Sequence, residues 1–280
     1  MSRSPSVMTE RVRHALSFLF VPGDRPARFS RATASGADVV VLDLEDGVGP
    51  DAKETARRLV ADHLGQGLLA AVRVNPPGTQ GHEADARMCA AYGAVVMVPK
   101  AVAGPALAAL AQFGVIALVE TAQGVLEAPT IARTPGVLRL ALGHLDLAAE
   151  LGVDNDHRPA IDPSRTALVL ASAAAGLSGP VDGVTTAIRD RAVLTDDLAH
   201  ARGLGMTGKL CIHPDQVEPS RTALRPSPEQ VAWGRRVLDA SRDGAVAVLD
   251  DRMVDRPVVE RARRIVRSAT DTTPTSKGQS

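Results

Sequence analysis

The sequence predicts a single (β/α)8 barrel, an α/β fold of the TIM-barrel type, with a C-terminal helical lid extension. Three observations carry that expectation. Eight short runs rich in Val, Ile and Leu recur along the chain, separated by segments with helical spacing. The runs show little alternation of polarity, as parallel strands do when both faces are covered. Charged residues collect directly after the runs, where the C-terminal rim of a barrel forms. The competing architecture is an open doubly wound sheet, but no Gly-x-Gly-x-x-Gly follows the first run.

The predicted strands are Ser17–Val21, Val39–Leu44, Leu69–Val74, Val95–Val98, Val115–Val119, Val137–Leu142, Val181–Ile188 and Lys209–Ile212. The eighth is the least apolar. Helical spacing marks Ala52–Leu64, Ala106–Gln112 and Pro163–Leu177, and Gly136 and Gly205 punctuate helix ends before the next strand. Beyond the eighth unit lie a helical segment (Pro228–Ser241), a strand-like or hairpin segment (Val246–Val254) and a second helix (Pro257–Ser268). The expected division is a flexible N-terminus (residues 1–14), a catalytic barrel (15–226), a lid or oligomerisation extension (227–269) and a disordered polar tail (270–280).

Composition narrows the function classes. Formal net charge is zero, so nothing suggests broad attraction to nucleic acid or a membrane surface. Aromatics at 2% are too few for base-stacking platforms. The two cysteines, Cys89 and Cys211, cannot form a disulfide framework and suggest a reducing compartment. No apolar run approaches the roughly 18 residues of a membrane span. A cytoplasmic location is the expectation.

The residues after each strand are the candidate site. Strand one is followed by Pro22-Gly23-Asp24-Arg25-Pro26, and strand two runs into Asp43-Leu44-Glu45-Asp46-Gly47. Arg73, Lys100, Glu120, Asp146, Asp182 or Thr185, and His213 follow in order. Burying so many charges beside an apolar barrel is costly unless they pair with one another or hold a ligand or metal. Glu120 and Asp146 end adjacent strands, so their carboxylates can converge on one cation. Two hard oxygen ligands completed by water and substrate is the usual Mg2+ arrangement. Cys211, inside a strand, reads as a core thiol. Arg73 suits a two-pronged grip on a carboxylate, and it also suits a salt bridge with Glu45 or Asp46. Alternation cannot point Asp43, Glu45 and Asp46 all inward. Glu45 and Asp46 are placed at the rim, and Asp43 is given a structural part.

These residues in this order resemble the citrate lyase β-subunit family, within the HpcH/HpaI aldolase/citrate lyase superfamily, which includes citryl-, malyl- and citramalyl-CoA lyases. The matching pieces are Phe20 to Pro26, Leu42 to Val48, Val72 to Asn75, Pro99-Lys100, Val119 to Ala122, Leu145 to Leu147, Gly208 to Pro214 and Met253 to Pro257. The resemblance implies Glu120 and Asp146 as Mg2+ ligands, with Glu120 also touching substrate. It implies Arg73 on the oxo-acid half, and Glu45 and Asp46 holding waters and orienting Arg73. It places Arg25 and Lys100 near the CoA, where Arg31 either helps with phosphates or lies on a solvated helix face. Asp255 would enter a neighbouring subunit's site, so a homotrimer or hexamer is implied, or membership of a larger lyase complex; an exposed helix cap is its plain alternative. The sequence departs from the pattern at His144 and at Asp250-Asp251, and the loop from Asn155 to Arg158 is variable in the family.

The chemistry implied is Mg2+-dependent retro-Claisen cleavage of a 3-hydroxyacyl-CoA thioester into an acyl-CoA and a 2-oxo acid. Asp255 would exchange the proton at the thioester enolate. A malyl-CoA-type thioesterase, a CoA-independent 2-oxo-acid aldolase and a non-catalytic CoA-binding protein are the other readings.

Overall fold

Period-two alternation with both phases apolar is what closes this sheet. Along the second strand Val39 and Val41 turn into the barrel interior, while Val40 and Leu42 pack outward against helices. The same division separates Phe18 from Leu19, Ala71 from Val72 and Ile116 from Ala117. The computed structural model describes residues 6–241, 247–249 and 252–271. Its strands are β1 (Ser17–Pro22), β2 (Val39–Asp43), β3 (Ala71–Arg73), β4 (Val95–Val98), β5 (Val115–Val119), β6 (Val137–Leu142), β7 (Val181–Asp182) and β8 (Gly208–Cys211). All neighbours are parallel, and β8 returns to β1 through Phe18 opposite Leu210, so the barrel is closed.

β4, β5 and β6 have the expected bounds. β7 does not: it leaves the sheet after Asp182, six residues short of the predicted end. Beyond it the polar groups find side-chain partners instead of a ladder. Thr185 donates from its hydroxyl to Asp197, and its carbonyl accepts Gln216 Nε2 at 2.8 Å. The helix expected from Pro163 begins earlier, at Arg158, with Pro159 in its first turn and Pro163 inside it.

Residues 6–14, expected to be flexible, form a helix, Ser6–His14. Its Met8 and Val12 join the cluster that fills the barrel interior. Arg139 on β6 ties it down. Nη1 donates to the carbonyls of Val12, Arg13 and Ala15, Nε to Gly179 O at 2.7 Å, and Nη2 to Thr207 Oγ1 at 2.7 Å. A fully buried cation thus satisfies orphan carbonyls at a helix C-terminus, where its charge also suits the helix dipole.

The described residues fall into two compact units, divided in sequence between Leu224 and Arg225. In the second, helices Pro228–Ala240 and Arg256–Asp271 pack on each other, and a hairpin joins them, β9 (Ala247–Leu249) antiparallel to β10 (Arg252–Val254). Gly234 permits their close approach, since a Cβ there would lie 3.0 Å from Val266 and 3.2 Å from the Ala262 carbonyl. Ser227 and Gln230 form a capping box at the first helix. The second helix runs through Asp271, into the stretch expected to be disordered; 272–280 and the Asp250-Asp251 pair lie outside the described residues. Among the described residues no helix is long and apolar enough to cross a membrane.

Arg139→Met is expected to leave several buried carbonyls unpaired and lower unfolding free energy by on the order of 3 kcal/mol. Urea titration measures this. A loss below about 1 kcal/mol would mean that apolar contacts alone hold the N-terminal helix.

Candidate active site

Asp43 ends β2 on the interior phase, directly across the ladder from Arg73, the last residue of β3. Its buried carboxylate accepts Arg73 Nε at 2.7 Å and Nη2 at 2.6 Å, and also the backbone N–H groups of Glu45 and Gly47, both at 2.9 Å. A side chain at Gly47 would collide with Asp43 Oδ2, so glycine is required there. The two-pronged grip expected of Arg73 is therefore made on Asp43. The guanidinium lies 4.8 Å from the Phe20 ring centroid, and its Nη1 is 2.8 Å from Glu45 Oε2, out of hydrogen-bond alignment, as an ionic contact. Burial works against the Arg73 charge, but the hydrogen bonds and field of Asp43, with Glu45 and Glu120, outweigh it and raise its pKa.

Glu120 follows β5 and is 2% exposed. The Lys100 backbone N–H donates to its Oε1 at 2.9 Å. Lys100 reaches this geometry with φ of 47°, a left-handed conformation that is costly for a residue with a Cβ. Its ammonium lies 3.5 Å from Glu45 Oε1 and 3.9 Å from Glu120 Oε1, so one residue serves two carboxylates. Gly143, just past β6, lets the Glu120 side chain lie against the backbone, because a Cβ there would overlap Glu120 Oε2 and stand 2.6 Å from its Cβ. Burial, then the negative charge of Glu45 and that of Asp146, push Glu120 up to about 8, against the Lys100 N–H and ammonium. Burial is also the main cause of the raised pKa of Glu45.

Asp146 stands in the first turn of the helix His144–Leu151 and lines the same cavity as Glu120, about 420 Å3 in volume. Among the described residues Asp146 makes no hydrogen bond, and Glu120 Oε2 receives none. No three His, Cys, Asp or Glu side chains cluster as a protein-only metal cage there. The donor set that fits is two carboxylates plus water and ligand oxygens, the set a hard divalent cation takes. His144 beside them is buried, and burial pulls its pKa down to about 4, so the ring is neutral at pH 7. Its Nδ1 packs against Gly183 without a hydrogen-bond partner.

The structure thus brings Arg73, Glu45, Asp46, Lys100, Glu120 and Asp146 to one rim. Asp43 and Glu45, not Asp46, hold Arg73; Asp46 is exposed at the cavity edge. Lys100 is turned toward carboxylates. Arg25 is exposed on the loop after β1, 3.5 Å from Asp24, and Arg31 is exposed on its helix. Asp182 faces outward, taken by Lys209 and Arg165. Asp255 belongs to the second unit and accepts the Val258 N–H at 3.3 Å, capping its helix. Cys211 is a buried core thiol. Sequence reasoning missed Arg28, which lines the cavity, and the orienting part of Asp43. For Asp43 the signal was available: it shares the parity of Val39 and Val41.

Fold and rim together define a closed parallel (β/α)8 barrel with buried carboxylates gathered at its C-terminal rim. The chain belongs to the HpcH/HpaI aldolase/citrate lyase family, whose model matches residues 16–112 and 108–214. It is 40% identical over 266 residues to a Mycobacterium tuberculosis protein named citrate lyase subunit beta-like, covering 91% of this chain and 96% of that one. A Cereibacter sphaeroides (3S)-malyl-CoA thioesterase is 34% identical, covering 90% and 94%. Among solved structures, CitE from M. tuberculosis in complex with magnesium, acetoacetate and coenzyme A superposes with a TM-score of 0.79 at 38% identity, covering 92% of this chain and 99% of that one.

Gly143→Ala is expected to displace Glu120 and weaken divalent-cation binding by about tenfold or more, with the circular dichroism spectrum unchanged. Unchanged affinity in a calorimetric titration would separate Glu120 from cation binding. A pH dependence follows as well. Because the folded-state pKa of Glu120, about 8, lies above its ordinary value of 4.5, its contribution to stability is full below that ordinary value and is lost as pH rises through 8. In chelator, the wild type should lose stability relative to Glu120→Gln between roughly pH 5 and 9. Parallel pH profiles in denaturant titrations would contradict the assignment.

Proposed function

We propose that this protein is a Mg2+-dependent carbon–carbon lyase that cleaves a 3-hydroxyacyl-CoA thioester into an acyl-CoA and a 2-oxo acid. The observation that carries this reading is the Glu120–Asp146 pair, free to accept a cation, beside an arginine already oriented over an apolar cavity. Relatives with magnesium, coenzyme A and oxo acids bound, one of them with oxaloacetate at 36% identity, support it.

Glu120 and Asp146 would hold the Mg2+. When bound, the ion acts as a Lewis acid toward the 3-hydroxyl and the neighbouring carboxylate of the substrate. Arg73 uses two of its five N–H groups on Asp43 and keeps Nη1 beside Glu45 as an ionic contact, which leaves N–H groups to grip the oxo-acid carboxylate. That fixed direction places the breaking bond before reaction begins. The 3-hydroxyl proton passes to water held by Glu45 and Asp46 as the C2–C3 bond breaks, which turns C3 into a carbonyl and leaves the electron pair on C2 as a thioester enolate. We assign protonation of C2 to Asp255 supplied by a neighbouring subunit, and contact with CoA to Arg25 and Lys100. Glu45 and Asp46 hold water at the rim.

A hydrolytic outcome at the same site is the second reading, and the relatives named malyl-CoA thioesterase favour it. Mass spectrometry of reactions with citryl-, malyl-, citramalyl- and β-methylmalyl-CoA separates the two. Acyl-CoA plus oxo acid supports the lyase; free CoA plus the intact hydroxy acid supports hydrolysis. Glu120→Gln is expected to abolish Mg2+-dependent turnover without unfolding the chain. Arg73→Lys should lose most activity although charge is kept, because a point charge cannot replace a planar fork held by Asp43. Near-native turnover in either variant would remove that residue from the mechanism. Co-refolded mixtures of inactive Glu120→Gln and Asp255→Asn chains should regain part of the activity; none in verified mixed oligomers would remove the shared-site assignment.

A further inference from the structure

We propose that the 2-oxo acid released here carries an alkyl substituent, in the class of pyruvate and 2-oxobutyrate, rather than hydrogen or a second carboxylate. The inference rests on the lyase reading and specifies the group R in R–CO–COO−.

The cavity has two unlike walls. Ligand oxygens belong on one of them, with Glu120, Asp146 and Arg73. The other wall is apolar: Val184, Leu210 and Ile212 come from the β7 and β8 side, and Leu118, two residues before Glu120 on β5, adjoins them in the lining. Once the hydroxyl and one carboxylate of R–C(OH)(COO−)–CH2–CO–S–CoA occupy the charged wall, R has two directions. Toward β2 it meets Glu45 and Asp46, which repel an anion. Toward β7 and β8 it meets aliphatic side chains, which a methyl or ethyl group fits and a carboxylate does not.

A second carboxylate would need its own cation, and the cations near β7 and β8 are engaged elsewhere. Lys209 lies between Leu210 and Gly208 on the opposite phase of β8, so it turns toward the outer helices. There its Nζ donates to Asp182 Oδ2 at 2.8 Å, and Arg165 Nε donates to Asp182 Oδ1 at 2.8 Å, all three groups buried. Arg73 has its fork on Asp43. The remaining lining cation, Arg28, is exposed on the loop side of β1, where water and salt screen it. Backbone phase therefore leaves this wall without a buried counter-charge among the described residues of the barrel.

The test uses the full-length, Mg2+-loaded protein. Isothermal titration calorimetry with pyruvate, 2-oxobutyrate, glyoxylate and oxaloacetate reads binding without turnover, and condensation with acetyl-CoA reads relative kcat/KM. Pyruvate or 2-oxobutyrate should exceed oxaloacetate by about tenfold or more, and should exceed glyoxylate. Ile212→Lys, at an exposed position whose backbone N–H bond to Gln216 is kept, should shift the ratio toward oxaloacetate. Val184→Lys serves as an independent variant of the same wall. Oxaloacetate or glyoxylate bound as tightly as pyruvate overturns the proposal, and so does an unchanged ratio in both folded lysine variants. If no 2-oxo acid binds the Mg2+-loaded protein, the lyase reading itself fails and the substituent assignment goes with it.

Discussion

The rim of this barrel depends on one buried carboxylate. Asp43 accepts two hydrogen bonds from Arg73 and two from the backbone at Glu45 and Gly47, so it fixes a cation and the turn after β2 together. Charge-assisted, two-pronged bonds of this kind are strong, and they specify direction as well as energy. Arg73 could not hold one orientation without it, and Glu45 would lose the turn that keeps it beside the cavity. Isolating Arg73 there would leave a buried charge half-paired, which costs more than the pair contributes when intact.

Around that anchor the rim holds more carboxylates than cations. Glu45 and Glu120 are both buried, Asp146 adds a third negative charge, and Arg73 and Lys100 are the cations shared among them. Burial and mutual repulsion together hold the Glu120 proton to about pH 8. The divalent ion proposed for this site would relieve the same repulsion without a proton, so cation and proton would compete for Glu120. The strained backbone at Lys100 and the missing side chain at Gly143 belong to this arrangement. Both bring main chain against Glu120, and neither is needed for the ladder.

Rigidity comes from the other end. Arg139 and the helix Ser6–His14 close the N-terminal end with five donated bonds and an apolar plug, far from the rim in chain direction. A barrel braced at one end can concentrate unfavourable charge at the other, which is how stability and function divide in this fold.

By itself the sequence determined the alternation of strand and helix, and with it the barrel. Buried parallel strands leave unbroken aliphatic runs that a reader can find, so β4, β5 and β6 were legible to the residue. The rim was legible for the same reason, because what ends or follows a buried strand must reach it: Arg73 ends β3 and Glu120 follows β5, whereas Asp146, expected at the end of β6, stands in the first turn of the helix after it. Where local pattern and tertiary demand part, only the structure decided. β7 stops at Asp182, and beyond it Thr185 bonds to Asp197 and Gln216 in place of a ladder. The helix of residues 6–14 is held in place by Arg139, over a hundred positions away, which donates to the carbonyls of Val12 and Arg13 at its C-terminal end. Which acid holds Arg73 also depended on a cross-strand neighbour thirty residues distant. Hydrogen bonds between remote side chains leave no periodic trace in a sequence, whereas burial of a strand does.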